Sequence, residues 1–369
     1  MSKSNSKINS LQALRALAFI GIFLVHSKVA WGWARLGVSI FFGLSGFLMT
    51  YIYWDRQTPD GIAGAAKFSI SKIKKLYPLH MLTMILAVLV EIKLYRFFGT
   101  LRENFYWLVR NIFLNTFLIQ SWYPNSAVNV ALNGVAWYLS VAMFLYFLFP
   151  FILRWMKKRK LATLILVGIL LIAIQIITAY PMVAKYGEGD MVYRWFVYTF
   201  PVYRIADFYC GCVLGRIYML TDKTKQSSVS TTIGYTIIEL ALLCFTVWFS
   251  LWLGTPSENN GILALRNWSS GYIIMALAWI WVFVQCKGLL TKAVSNPLMI
   301  ALGDISPQAF LLHYTVIRCV NAYLAMHMIL FTPEMIWRYF IFEFIGTIIL
   351  CLIYIKIASF IKGKLTINK

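Results

Sequence analysis

Charge is what this sequence has least of. Only 13% of its 369 residues are Asp, Glu, Lys or Arg, while 60% are hydrophobic. A soluble domain carries roughly twice that share of charge, so an ordinary water-facing surface is excluded. Acids are scarcer still, with 13 Asp and Glu against 34 Lys and Arg and a net charge of +21. No polar stretch is long enough for a second, soluble domain, and residues 1–369 read as one transmembrane unit with no appended soluble domain. Internal repeats and low-complexity tracts are also missing, which weakens an inverted-repeat transporter reading. The six cysteines, Cys210, Cys212, Cys244, Cys286, Cys319 and Cys351, lie in or beside apolar runs without ligand-like neighbours. They read as small packing residues, and no metal site is expected.

What is abundant is apolar sequence in spanning lengths. Candidate segments are 11–27, 36–54, 77–97, 106–121, 136–154, 161–180, 197–219, 232–253, 269–286, 306–330 and 335–360. The fold class is therefore all-α, a polytopic integral membrane protein. Lys3 and Lys7 precede an apolar run as in a signal peptide. No small-residue cleavage site follows, however, and Arg15 breaks the run, so a retained first helix is expected.

The basic residues test the topology. If segment 106–121 does not cross, the stretches Lys3/Lys7, Arg56–Lys75, Arg154–Lys160, Arg216–Lys225, Lys287/Lys292 and Lys356–Lys369 share one side. Of the 34 basic residues, 21 then lie inside, 10 outside, and Arg15, Arg204 and Arg318 within spans. The acidic loop 181–192 falls outside. This arrangement has about ten transmembrane helices and both termini cytoplasmic. Segment 106–121, with the uncharged loop after it, is expected to be re-entrant or interfacial. In a soluble protein +21 would suggest nucleic acid. Here positive-inside topology, with an anionic lipid or anionic substrate, accounts for it, and no nucleic-acid partner is expected.

Five constellations carry chemistry. Arg15 and His26 are eleven residues apart on one helix face, roughly 16 Å along the axis, with Arg15 toward the cytoplasm. Ionisable residues at such depth usually face a protein interior or a water-filled path, although Arg15 can also snorkel to headgroups. Residues 37–50 (GVSIFFGLSGFLMT) hold Gly43, Ser45 and Gly46, suited to close helix packing or to a thin ligand passing the backbone. Lys72, Lys74 and Lys75 precede Pro78 at the start of the third span, where they either anchor the helix or bind a phosphate-rich ligand. Arg204 and Asp207, three apart, read as a structural ion pair or as site residues. Residues 301–313 read as a turn from Gly303 to Pro307, with Asp304 at its cytoplasmic mouth and His313 about two turns deeper. Glu91, Glu239 and Glu343 are each candidates for the partner of His26.

Arg15 with His26, FFGLSGFLM, KIKKLYPL, WYLSVAMFLYFLFP and GDISPQAFLLH occur in an order that resembles the membrane-bound acyltransferase-3 family, whose members O-acylate carbohydrates. The resemblance implies that His26 is catalytic together with Arg15. It places the family's basic pair on Lys72 and Lys75, its Asp–Ile–Ser turn on Asp304–Ser306 and its following histidine on His313. Ala142 stands where the family usually has glutamate, and the esterase-like domain often appended in the family is not expected. It further implies acetyl-CoA or succinyl-CoA as donor and a glycan of exopolysaccharide, capsule or O-antigen as acceptor. The setting would be a bacterial inner membrane, and a homo-oligomer or glycan-assembly proteins are further partners. Acyl-CoA phosphates would meet Lys72, Lys74, Lys75 and Arg15 while neutral His26 acts as base. Two other readings stand beside this one: a glycan transporter or flippase, and a scaffold with degraded catalysis.

Overall fold

A computed structural model describes residues 8–29, 33–221, 228–255, 257–267 and 269–367, which are helical with no strand among them. In chain order the helices are α1 (Asn9–His26), α2 (Trp33–Tyr53), α3 (Gly61–Ile73), α4 (Tyr77–Phe97), α5 (Leu101–Thr116), α6 (Ser126–Asn129), α7 (Trp137–Lys157) and α8 (Leu161–Tyr186). They continue with α9 (Met191–Arg194), α10 (Ile205–Leu220), α11 (Val229–Leu253), α12 (Asn260–Leu265), α13 (Ser270–Gln285), α14 (Leu289–Val294), α15 (Pro297–Met326) and α16 (Ile336–Ile367). Among the described residues, nine helical stretches are long and apolar enough to cross a membrane. This is the architecture of a multi-pass membrane protein, because only closed helices satisfy backbone polar groups in hydrocarbon.

Helix α2 forms the middle of the bundle, packed against α1, α10 and α13. Small residues set that closeness. A Cβ on Gly46 would lie 2.0 Å from the Phe208 carbonyl, and one on Gly211 would lie 2.1 Å from that of Gly43. Of the two uses expected for Gly43 and Gly46, the packing role is the one seen. Helix α15 lies equally tightly on α1, where a Cβ on Gly303 would sit 1.9 Å from the Gln12 carbonyl.

Three boundaries differ from the sequence reading, each at a proline. The expected turn at Gly303–Pro307 is absent, and α15 runs unbroken from Pro297. Pro307 cannot donate to the Gly303 carbonyl, but the Ser306 hydroxyl does, at 2.8 Å, so the helix continues. The true start lies further back, where the Asn296 side chain caps Met299 N at 3.0 Å. Helix α8 likewise passes through Pro181 to Tyr186, into what was expected to be loop, because Ala179 and Val183 pack on Tyr193 and Val197. Conversely, the expected span 197–219 breaks near Pro201. A wide helical turn, Trp195–Thr199, precedes α10, whose 16 residues lie largely in the core. At roughly 24 Å, α10 is shorter than a bilayer core.

Segment 106–121 belongs mostly to α5, which is not among the nine stretches. The chain after it turns inward, and residues 131–137 are all buried. Asn133 fixes this loop by donating to Thr83 Oγ1 and to the Leu311 carbonyl, both at 2.9 Å.

Candidate active site

The expected pair of histidines is a contact. His26 is the last residue of α1, and the helix ends there because Lys28 adopts a left-handed conformation, φ 62°. Backbone N–H groups of Lys28 and Val29 then cap the carbonyls of Val25 and Leu24 at 3.1 and 2.8 Å. Ser27 donates to Glu343 Oε2 at 2.7 Å and ties this end of α1 to α16. Across from it, His313 is fully buried on α15. His26 Nδ1 and His313 Nε2 are 2.8 Å apart, and the rings are nearly parallel at 12°.

A backbone carbonyl decides where the protons are. His313 Nδ1 lies 2.7 Å from the Phe310 carbonyl, which can only accept, so His313 Nδ1 carries hydrogen. In the neutral ring, His313 Nε2 is therefore a bare acceptor, and the hydrogen between the rings belongs to His26 Nδ1. His26 Nε2 keeps a lone pair. This is the tautomer a general base requires.

Three cavities lie on or near the pair, and His26 lines two of them. One of about 100 Å³ is lined by Arg15, Ser45, Leu76, Tyr138, Tyr146 and Phe310, among others. Phe310 is also in the wall of a second, about 180 Å³, which reaches His26, Trp137, Tyr198 and Tyr314. A third, about 470 Å³, has His26 and Tyr314 in its wall beside Lys28, Glu91 and Arg318. His26 thus borders two cavities, and Phe310 is in the walls of both the first and the second.

Arg15 makes no hydrogen bond or ion pair among the described residues. Beside it, Tyr138 and Tyr146 hydroxyls each lie 3.4 Å from Ser45 Oγ, which donates to the Phe41 carbonyl at 2.8 Å. Arg15 is thus partly buried beside these hydroxyls, and among the described residues no carboxylate lies against it. Lys72 bonds to the Tyr53 hydroxyl and lies over the Tyr53 and Phe68 rings at 4.4 and 4.8 Å. Lys74 and Lys75 are exposed in the turn before α4, which Pro78 opens as expected.

Other expected residues lie elsewhere. Asp304 is exposed, and nine residues place it about two and a half helical turns from His313, on the opposite face of α15. Arg204 and Asp207 pair at 3.6 Å with both side chains sealed from solvent, joined through Ser269, whose hydroxyl donates to Asp207 Oδ2 at 3.0 Å. Arg204 also lies over the Phe42 ring at 4.9 Å, so the pair is consumed in packing. Nor is any of the three candidate acids the hydrogen-bonding partner of His26. Glu239 caps α14 through Leu290 N at 3.0 Å and Thr291 Oγ1 at 2.6 Å, Glu91 pairs with Arg318, and Glu343 holds Ser27.

Several wall residues carried no sequence signal. Tyr314 and Tyr198 gave no sign of a site role, and Gly134 belonged to an uncharged loop, whereas Trp137 opens one of the family motifs. A Cβ on Gly134 would lie 2.5 Å from the Tyr314 ring, so this glycine lets Tyr314 stand beside His26. The one available hint was that the loop 122–134 contains no charge.

Comparisons with known proteins identify the family. A family model described as an acyltransferase domain matches residues 8–356. O-acetyltransferase OatA of Staphylococcus aureus is 24% identical over 333 residues, 85% of this chain and 51% of OatA. The chain therefore spans about half the length of that relative. Acyltransferase MdmB of Streptomyces mycarofaciens is 26% identical over 305 residues, 81% of this chain and 71% of MdmB. No solved structure matches.

Proposed function

Because the chain belongs to the acyltransferase-3 family, we propose that it is a membrane O-acyltransferase, moving an acetyl or succinyl group from cytoplasmic acyl-CoA to a hydroxyl of an extracytoplasmic or lipid-linked glycan. The observation that carries this reading is the histidine chain. A carbonyl fixes His313, His313 fixes His26, and His26, with Nε2 left bare, lines cavities on two sides. The chain crosses the bacterial inner membrane about ten times with both termini cytoplasmic, in keeping with its basic-residue distribution. Arg15 then lies toward the cytoplasm and His26 toward the outside.

The donor's phosphates meet the ammonium groups of Lys72, Lys74 and Lys75 at the cytoplasmic rim, and Arg15 takes an anionic group deeper in. The thin pantetheine arm passes Ser45, Tyr138 and Tyr146 toward His26. His26 Nε2 removes the proton from the acceptor hydroxyl as its oxygen attacks the thioester carbonyl. The new C–O ester bond forms, the C–S bond breaks, and the proton on His26 passes to the departing thiolate, giving free CoA and a neutral histidine. OatA is named as an O-acetyltransferase, which supports an oxygen acceptor and an acetyl donor for this chain as well.

The test is CoA release from acetyl-CoA and succinyl-CoA by purified wild type and His26→Ala, each with a crude glycan extract from the host envelope. Acceptor-dependent release by wild type that His26→Ala loses supports the reading. Equal release by both would remove His26 from the chemistry, and release by neither, without acyl-CoA binding, would overturn the acyltransferase assignment.

A further inference from the structure

The largest of the three cavities contains charges that the donor path does not use. We infer that it is the acceptor subsite, and that the Arg318–Glu91 pair grips vicinal hydroxyls of a saccharide ring seated against Tyr314. This rests on the acyltransferase reading and deepens it.

The cavity, about 470 Å³, lies among the C-terminal parts of α1, α4 and α15, with Lys28, Glu91, Tyr314, Arg318 and Asn321 in its wall beside His26. Its size suits a small organic ring. Glu91 is buried, Arg318 is partly exposed, and the two form an ion pair across α4 and α15. That contact uses one guanidinium nitrogen and one carboxylate oxygen, Arg318 Nη2 and Glu91 Oε1. Arg318 Nε is sealed without a partner.

This wall therefore offers donors from Arg318, Lys28 and Asn321 together with an acceptor from Glu91. A purely anionic ligand would be repelled by Glu91, and an apolar one would leave every charge unsolvated. Vicinal hydroxyls both donate and accept, which answers both halves of the pair. The aromatic face of Tyr314 supplies the apolar contact that the C–H face of a sugar ring needs. Because His26 also borders the cavity whose Phe310 wall is shared with the Arg15 cavity, acceptor and thioester reach one imidazole from different sides.

The test measures initial rates with acetyl-CoA and the crude envelope glycan extract, varying each substrate. In the double variant Glu91→Gln/Arg318→Gln the KM for glycan is expected to rise about tenfold or more, with the KM for acetyl-CoA unchanged. The charge swap Glu91→Arg/Arg318→Glu separates contact from scaffolding. A purely structural pair would be restored by the swap, whereas a sugar-binding pair stays impaired. Asn321→Trp, a change at an exposed wall position, reports on the cavity should the paired variants not fold, and it too is expected to raise the KM for glycan. An unchanged glycan KM in the double Gln variant or in Asn321→Trp, or a rise confined to acetyl-CoA, overturns the acceptor assignment alone. Failure of wild type to transfer at all overturns the underlying reading instead.

Discussion

If the Phe310 carbonyl and His313 set the tautomer of His26, then His313→Phe is damaging although it keeps an aromatic ring in the same place. The phenyl ring cannot accept from His26 Nδ1–H, which now sits 2.8 Å from nitrogen. A buried donor left without a partner costs about 1–3 kcal/mol. His26 can escape that cost by moving its hydrogen to Nε2, which removes the base, or by turning its ring. If that whole cost appears in the barrier, kcat falls roughly 5- to 150-fold. Losing the base itself, in His26→Ala, costs about 10²- to 10⁴-fold. His313→Gln places an amide oxygen near the former Nε2 and is expected to retain most of the rate. The assay is acceptor-dependent CoA release with all variants checked for monodisperse elution in detergent. A double-variant comparison is the sharper part: in a His26→Ala background, His313→Phe should have no further effect, because it acts only through His26. Wild-type turnover in His313→Phe, or an equal further loss in the His26→Ala background, would refute the relay.

Three further outcomes are expected. Arg15→Met should raise the KM for acyl-CoA about tenfold or more, since a charge-assisted contact to the donor is lost while Ser45, Tyr138 and Tyr146 remain; an unchanged donor KM would assign Arg15 to packing. Gly303→Ala forces α1 and α15 apart, because its methyl would meet the Gln12 backbone at 1.9 Å. It should cost about 1–3 kcal/mol in stability and reduce turnover by loosening the histidine contact, measured by thermal unfolding in detergent alongside rate. Asp207→Asn leaves Arg204 buried without its carboxylate and should destabilise the protein by about 3–5 kcal/mol without moving the KM of either substrate. A shifted KM in well-folded protein would return this pair to the site.

The parts of the site legible in the sequence are those that spacing alone fixes. The eleven-residue offset from Arg15 to His26 is almost three helical turns, so a shared face needed no tertiary information. Pro78 likewise announced the start of α4. The Arg204–Asp207 pair followed from a three-residue spacing, which holds although Arg204 stands just before the first residue of α10. What spacing cannot reach is contact between distant segments. His26 meets His313 across 287 residues, and acids at similar depth looked equally suitable until each was found bonded elsewhere. Prolines misled in both directions, because their effect depends on a neighbour. Ser306 repairs the carbonyl that Pro307 strands, so α15 continues, whereas the chain breaks near Pro201. The buried loop 131–137 was hidden for a related reason. Its anchors, Asn133 to Thr83 and Leu311, come from residues distant in sequence.

Transfer across the membrane through His26 is the central claim, and sided vesicles test it most directly. Inverted membrane vesicles carrying the chain would receive radiolabelled acetyl-CoA on the cytoplasmic face, with envelope glycan sealed inside. Label on the sealed glycan with wild type, absent with His26→Ala, is the predicted result. Label only on glycan added to the same face as the acetyl-CoA, or equal labelling by His26→Ala, would contradict it.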